Sequence, residues 1–160
     1  MSTFEIPDDH VARRIAADVV MIDVWQGEPY VTLIRRRDNP DKLALPGGHQ
    51  KPEDATVLET AQRELLEETL VNLEQGELQL LDFLDVSGRD TRPGLPRVSV
   101  VFMAVIDHER AMTATPGDDA SAVKRHRLKD VTEDMMAFDH FLVIAKIQQE
   151  LSLCCHGCCT

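Results

Sequence analysis

Residues 1 to 153 contain no cysteine; all four cysteines fall within the final stretch CCHGCCT. The body of the protein therefore owes nothing to disulfides. No apolar run approaches the roughly 18–20 residues that a membrane span needs. The opening residues, MSTFEIPDDHVARR, lack the basic-then-apolar order of a signal peptide, so a cytosolic protein is expected. Positive charge is also scarce: 17 Lys and Arg stand against 28 Asp and Glu, a formal net charge of −11. That balance argues against a general nucleic-acid binder, whose contact face is basic. It leaves an anionic small molecule open, because a divalent cation inverts the local sign. Internal repeats and low-complexity linkers are absent.

What remains is ordinary for a globular chain, with 43% hydrophobic and 28% charged residues in 160. One domain over residues 1–153 suits that length, followed by a Cys-rich tail over 154–160. Cys154, Cys155, Cys158, Cys159 and His156 offer a soft-metal donor set. The tail also resembles the tetracysteine tags added for dye labelling, and a mobile terminal segment is the favoured reading.

AADVVMIDVW (16–25) reads as a strand rich in β-branched side chains. QGEP is a turn and YVTLIRR the partner strand. RRDNPDK is a polar connection, and LAL a short strand before the Pro46-Gly47-Gly48 loop. Residues 56–69 read as a helix. ELQLLDFLDV and RVSVVFMAVI are further strands around the loop SGRDTRPGLP. A long connection follows, with a short strand near its end, and FDHFLVIAKIQQEL is a second helix with Asp139 near its start. This order predicts a mixed sheet with helices packed on it.

The most informative segment is QRELLEETL, 62–70. Positions three and four apart on a helix are neighbours, so Glu64 meets Glu67 and Glu68 on one side while Val57, Ala61 and Leu65 form an apolar stripe. Like charges at this spacing repel by a few tenths of a kcal/mol per exposed pair, so a solvated acidic face competes with a functional one. The Pro-Gly-Gly loop upstream favours function. Glycines bring backbone close to a ligand, and hard cations such as Mg²⁺ take oxygen donors.

Residues 46–71, PGGHQKPEDATVLETAQRELLEETLV, resemble the Nudix box: Gly, five residues, Glu, seven residues, Arg-Glu, apolar, any, Glu-Glu, any, Gly, apolar. Arg63-Glu64-Leu65-Leu66-Glu67-Glu68 fits its second half without gaps. The resemblance implies a Nudix fold, an α/β/α sandwich around a mixed sheet. It implies Mg²⁺ (or Mn²⁺) held by Glu67, Glu68, Glu64 and the carbonyl of Gly47, with Glu64 a ligand or base and Arg63 orienting the glutamates. Two positions depart from the motif. Its early Glu corresponds to Ala55, so Glu53 or Asp54 serves across a longer loop, or Asp54 only caps the helix. Its closing Gly is Leu70, and the helix is expected to run on until Asn72, which tolerates a left-handed conformation.

Gly88-Arg89-Asp90-Thr91-Arg92, PGDDASAVKRHRL and MAFDHFLVIAKI resemble a subgroup linked to ADP-ribose. Arg89, Arg92 and Arg97 are candidates to contact phosphate or ribose, since the guanidinium fork fits them. Asp118 and Asp119 are candidate general bases, with an acidic turn as the bland alternative. His140 is expected to pack or cap. The resemblance implies Mg²⁺-dependent hydrolysis of a nucleoside diphosphate linked to another moiety, with ADP-ribose favoured. NADH, dinucleoside polyphosphates and oxidised nucleoside triphosphates follow, and similar ADP-ribose hydrolases are often homodimers. A nucleotide-sensing module and an inactive Nudix fold are the competing readings.

Overall fold

The computed structural model describes residues 13–85, 97–117 and 120–157, with side chains as far as residue 152. β1 (Arg14–Trp25) and β2 (Glu28–Arg36) form a hairpin. Its turn residues Gln26 and Gly27 both have positive φ, 52° and 77°, the backbone that matches the twist of flanking strands. The chain continues through β3 (Asn39–Ala44), β4 (Gly47–His49), α1 (Val57–Thr69), β5 (Gln79–Leu84) and β6 (Arg97–Ile106). A short α2 (His108–Ala111), β7 (Ala120–Arg127) and α3 (Phe141–Gly157) complete it.

The strands make one mixed sheet. β1 runs parallel to β6, and the other strand pairs are antiparallel. Alternation along β1 explains why its sequence is apolar on both sides. Ala17, Val19 and Met21 pack with Ala61 and Leu65 of α1. Val20 and Ile22 pack with Val143, Ile144 and Ile147 of α3. The expected sandwich is therefore observed, with one core on each face of the sheet. Burying a side chain such as Leu65 or Ile144 contributes about 1.5–3 kcal/mol.

One strand pair opens to make room for a third element. β1 and β2 pair from Trp25–Glu28 to Met21–Thr32 and then part. The β3–β4 run enters the gap: β3 pairs with β2 at Ile34–Ala44, and β4 pairs with β1 from Asp18–Gly47 to Ala16–His49. Asp23, fully buried on β1, is tied on the far side of this fork. It accepts from Arg125 Nε at 2.8 Å and lies 3.0 Å from His108 Nδ1.

Several boundaries differ from the sequence reading. β3 starts at Asn39, inside the segment read as a polar connection; Pro40 is tolerated because β3 lies at the end of the strand order. Gly47–His49 is a strand rather than a loop. β7 spans eight residues, and α2 was not anticipated. α3 starts at Phe141, and its helical backbone reaches Gly157, into the stretch read as a tail.

The end of α1 also corrects the sequence reading. The helix does not run on to Asn72. It stops at Thr69, and Leu70 closes it at φ 58° and ψ 13°, donating its N–H to Leu66 O. That conformation costs an L side chain about 1–2 kcal/mol. The next residues hold it there: Val71 and Leu73 are buried in the α1-side core, and Val71 N–H donates to Thr69 Oγ1 at 3.2 Å. Leu70 itself is 56% exposed. Leu70→Gly should therefore raise stability by about 1 kcal/mol, or about 2–4 °C in a thermal melt. An unchanged or lower Tm would show that the side chain contributes more than its backbone costs.

Candidate active site

α1 starts with a local signal. Thr56 Oγ1 accepts the N–H of Glu59 at 3.1 Å, and Glu59 Oε2 accepts that of Ala55 at 2.8 Å, filling two donors that a helix start leaves open. The predicted stripe is real: Ala61 and Leu65 are sealed, with Val57 at the margin of the same cluster. Glu68 lies one turn beyond Leu65 on that buried side, 1% exposed. A buried carboxylate is costly without donors, and two are present. Gly47 N–H donates to Oε2 at 2.8 Å and Arg36 Nη1 to Oε1 at 3.1 Å.

Both β4 glycines are dictated by close approach. A Cβ on Gly47 would lie 2.4 Å from the Ala17 carbonyl and 2.5 Å from Asp18 Oδ1. One on Gly48 would lie 2.5–2.6 Å from the carboxyl atoms of Glu64. The glutamate thus rests directly against the β4 backbone.

Arg63 gathers the remaining acids. Its Nη1 donates to Glu64 Oε1 at 2.7 Å and to Glu67 Oε2 at 3.0 Å. Its Nε and Nη2 grip the two oxygens of Asp54 at 2.9 and 2.8 Å, and Nη2 also reaches the His49 carbonyl at 3.1 Å. This is a two-pronged guanidinium–carboxylate pair. Asp54 also accepts from Lys51 N–H and the Thr60 hydroxyl. Arg63, with help from these donors, holds the Asp54 carboxyl well below the usual range despite desolvation. Asp54 in turn raises the affinity of Arg63 for its proton. Asp54 lies one residue before Ala55, the position that corresponds to the motif's early acid. It does not cap the helix, since Thr56 does that.

The three α1 glutamates form a gradient of exposure. The side chains are 39% exposed at Glu67, 12% at Glu64 and 2% at Glu68. Lys51 Nζ lies 3.4 Å from both Glu67 oxygens. Glu64, Glu67, Glu68 and the Gly47 carbonyl are all oxygen donors, the type that Mg²⁺ or Mn²⁺ takes, and the Gly47 carbonyl here accepts from Arg36 Nη1 at 3.4 Å. Among the described residues no three such groups already converge on one cation-sized point. Arg63 and the Gly47 N–H hold their charge instead.

On the other flank of Gly47 and Gly48 is a cavity of about 90 Å³, walled by Asp18, Arg36, Arg97, Phe138 and His140. His140 is buried as expected. Leu45 N–H donates to its Nδ1 at 3.0 Å, and its Nε2 lies 3.6 Å from Asp18 Oδ1. The Phe138 ring sits 5.3 Å from that imidazole.

The structure thus brings Gly47, Arg63, Glu64, Glu67 and Glu68 together, with Arg97 in the adjoining cavity. Arg89, Arg92, Asp118 and Asp119 lie outside the described residues. The segment leading to the last two is described as far as Gly117. Thr115 N–H donates to Thr69 O at 2.9 Å and Gly117 N–H to Glu68 O at 3.1 Å, capping the end of α1. A Cβ on Gly117 would fall 1.8 Å from the Glu67 carbonyl. Sequence reasoning missed Arg36, concealed in the run Arg35-Arg36-Arg37. β2 ends at Arg36 and its register shifts between Arg35 and Arg36, so nothing local to the run singles out the middle arginine.

A family model described as NUDIX domain matches residues 12–147. Among solved structures, the NUDIX domain of Shewanella oneidensis NrtR, in complex with ADP ribose, superposes with a TM-score of 0.76 at 26% identity. The match covers 92% of this chain and 94% of that one. A MutT/nudix family protein from Enterococcus faecalis gives 0.73 at 24% identity, covering 93% of this chain and 66% of that one. A bifunctional NMN adenylyltransferase/ADP ribose pyrophosphatase from Francisella tularensis, with AMP and a Mn ion, gives 0.69 at 23%. There the match covers 89% of this chain and 43% of that one. At these last two identities the likeness is one of fold. No curated protein sequence matches the chain.

The depressed Asp54 carboxyl sets a pH dependence. Its stabilisation is present above the ordinary carboxylate value of about 4 and is lost as pH falls through the lower folded-state value. Asp54→Asn should therefore cost about 2–3 kcal/mol at neutral pH. In urea unfolding the gap from the unsubstituted protein should narrow on acidification, and a gap independent of pH would contradict the ion-pair account. Gly117→Ala should cost about 1–3 kcal/mol through overpacking, measured in the same way.

Proposed function

This chain belongs to the Nudix family, and from that premise we propose that it is a hydrolase that cleaves the diphosphate of a nucleoside diphosphate linked to another moiety. ADP-ribose, giving AMP and ribose 5-phosphate, is the favoured substrate. One observation carries the reading: a single guanidinium, anchored on Asp54, holds Glu64 and Glu67 beside a glycine backbone that also binds Glu68. A merely solvated acidic helix face would not bury one of its glutamates and tether the others.

Glu64, Glu67, Glu68 and the Gly47 carbonyl are the groups that would hold Mg²⁺, with Mn²⁺ as the other candidate. Bound there, the cation would lower the pKa of water and offset phosphate charge. Arg63 keeps the acids oriented. Glu64, which lies against Gly48, is proposed to accept a proton from water, with Asp118 or Asp119 as the alternative base. Arg36 and Arg97 present positive charge to phosphate oxygens, and Arg89 and Arg92 are proposed to add to it. Phe138 and His140 offer a ring-lined wall for the nucleoside.

A second reading has its own support. The NrtR domain that binds ADP ribose matches this chain over nearly the full length of both, so a nucleotide sensor without turnover competes. An inactive fold, suggested by Ala55 and Leu70, is less favoured: Asp54 stands in for the missing acid, and Leu70 adopts the left-handed helix end. Purified protein with Mg²⁺ should release AMP from ADP-ribose, and Glu67→Gln should lower kcat by about 100-fold or more. Tight binding of ADP-ribose without turnover in Mg²⁺ or Mn²⁺ would favour the sensor.

A further inference from the structure

A second, larger recess adjoins β4. It is a cleft of about 460 Å³ that meets the small cavity at His49 and is lined by Arg13, Arg14, His49, Lys51, Pro52 and Asp54 among others. Its charge is unlike that of the molecule, which carries 28 acids against 17 bases. The one acid among the lining residues is Asp54, already neutralised by the fork of Arg63. Arg14 is exposed and has no carboxylate partner among the described residues. Arg13 is paired with Asp85 at 2.5 Å, but both side chains are largely exposed, 40% and 48%. Such a pair is worth about 0–1 kcal/mol and is readily exchanged for a stronger anion.

Lys51 connects this cleft to the catalytic turn, since its ammonium contacts both oxygens of Glu67. A diphosphate seated over Gly47–Gly48 and the glutamates therefore has both the ring-lined cavity and this separate cationic cleft next to it. The volume exceeds the needs of a single phosphate and falls within the usual range of ligand sites, about 300–1,000 Å³. Exposed cations most often serve solubility alone. Here three of them, Arg13, Arg14 and Lys51, line one cleft, and the single acid among its described lining residues, Asp54, is already paired with Arg63.

We propose that this cleft is an anion subsite for a phosphate beyond the scissile diphosphate, borne on the moiety opposite the nucleoside. A nucleoside diphosphate conjugate with a phosphorylated end is then a better substrate than the same conjugate without it. The inference rests on the hydrolase reading only for the position of the scissile bond.

The test compares kcat/KM for ADP-ribose and for ADP-ribose phosphorylated on its terminal ribose. The expected result is a preference of about tenfold for the phosphorylated form, one strong charge-assisted contact, weakening as salt rises from 50 to 300 mM. Arg14→Gln, at an exposed position that folding does not need, should bring the ratio towards one through KM. Equal kcat/KM values in the unsubstituted protein would overturn the subsite while leaving the hydrolase reading intact. If neither compound is turned over, the hydrolase reading fails, and calorimetry with inorganic tripolyphosphate decides the subsite. At least fivefold weaker binding to Arg14→Gln supports it, and equal binding overturns it.

Discussion

Three acidic side chains, Asp54, Glu64 and Glu67, would repel one another without the guanidinium of Arg63. It is held on one side by Asp54 and the His49 carbonyl, and on the other it holds Glu64 and Glu67. The arrangement fixes the distance between the loop after β4 and the first half of α1. It is also directional. Asp54 takes the two-pronged end of the cation, leaving one nitrogen to be shared by the two glutamates. An incoming cation therefore competes for the weaker half of Arg63's contacts, while the stronger half keeps loop and helix together.

The sheet supplies the other constraint. Because β1 and β2 part beyond Met21–Thr32, the β3–β4 run enters between them and carries two glycines into the middle of the structure. Neither position has room for a methyl group. The acids on α1 and the backbone they face are thus placed by different layers of the sandwich. Their meeting depends on the core between β1 and α1, where Ala17, Ala61 and Leu65 are fully buried. Small residues at 17 and 61 let helix and sheet approach closely enough for Glu64 to touch Gly48.

How much of this was legible beforehand differs by kind of feature. The helix and its acids were, because a period of 3.6 with charges three and four apart is a local property of the chain. The two central strands were legible as β-branched runs. The short β4 was not: three residues, two of them glycine, have no strand propensity and pair only because β1 offers an unoccupied edge. Arg36 and Asp54 were missed or left open because a partner distant in sequence decides their roles. The end of α1 was misjudged for a similar reason. Local preference favours Asn72 for a left-handed residue, whereas burial of Val71 and Leu73 imposes it on Leu70.

That helix end has a consequence for folding order. Its last turn has no basic residue to complement the carbonyls and no glycine to close it. Two of those carbonyls, on Glu68 and Thr69, accept from Gly117 and Thr115, far along the chain. Closing so wide a loop is entropically slow. The first turns of α1 can form early on their own cap, but the turn bearing Glu67 and Glu68 is completed only after β6 has docked beside β1 and the connection beyond it has folded back. The turn that carries Glu67 and Glu68 is therefore expected to order late.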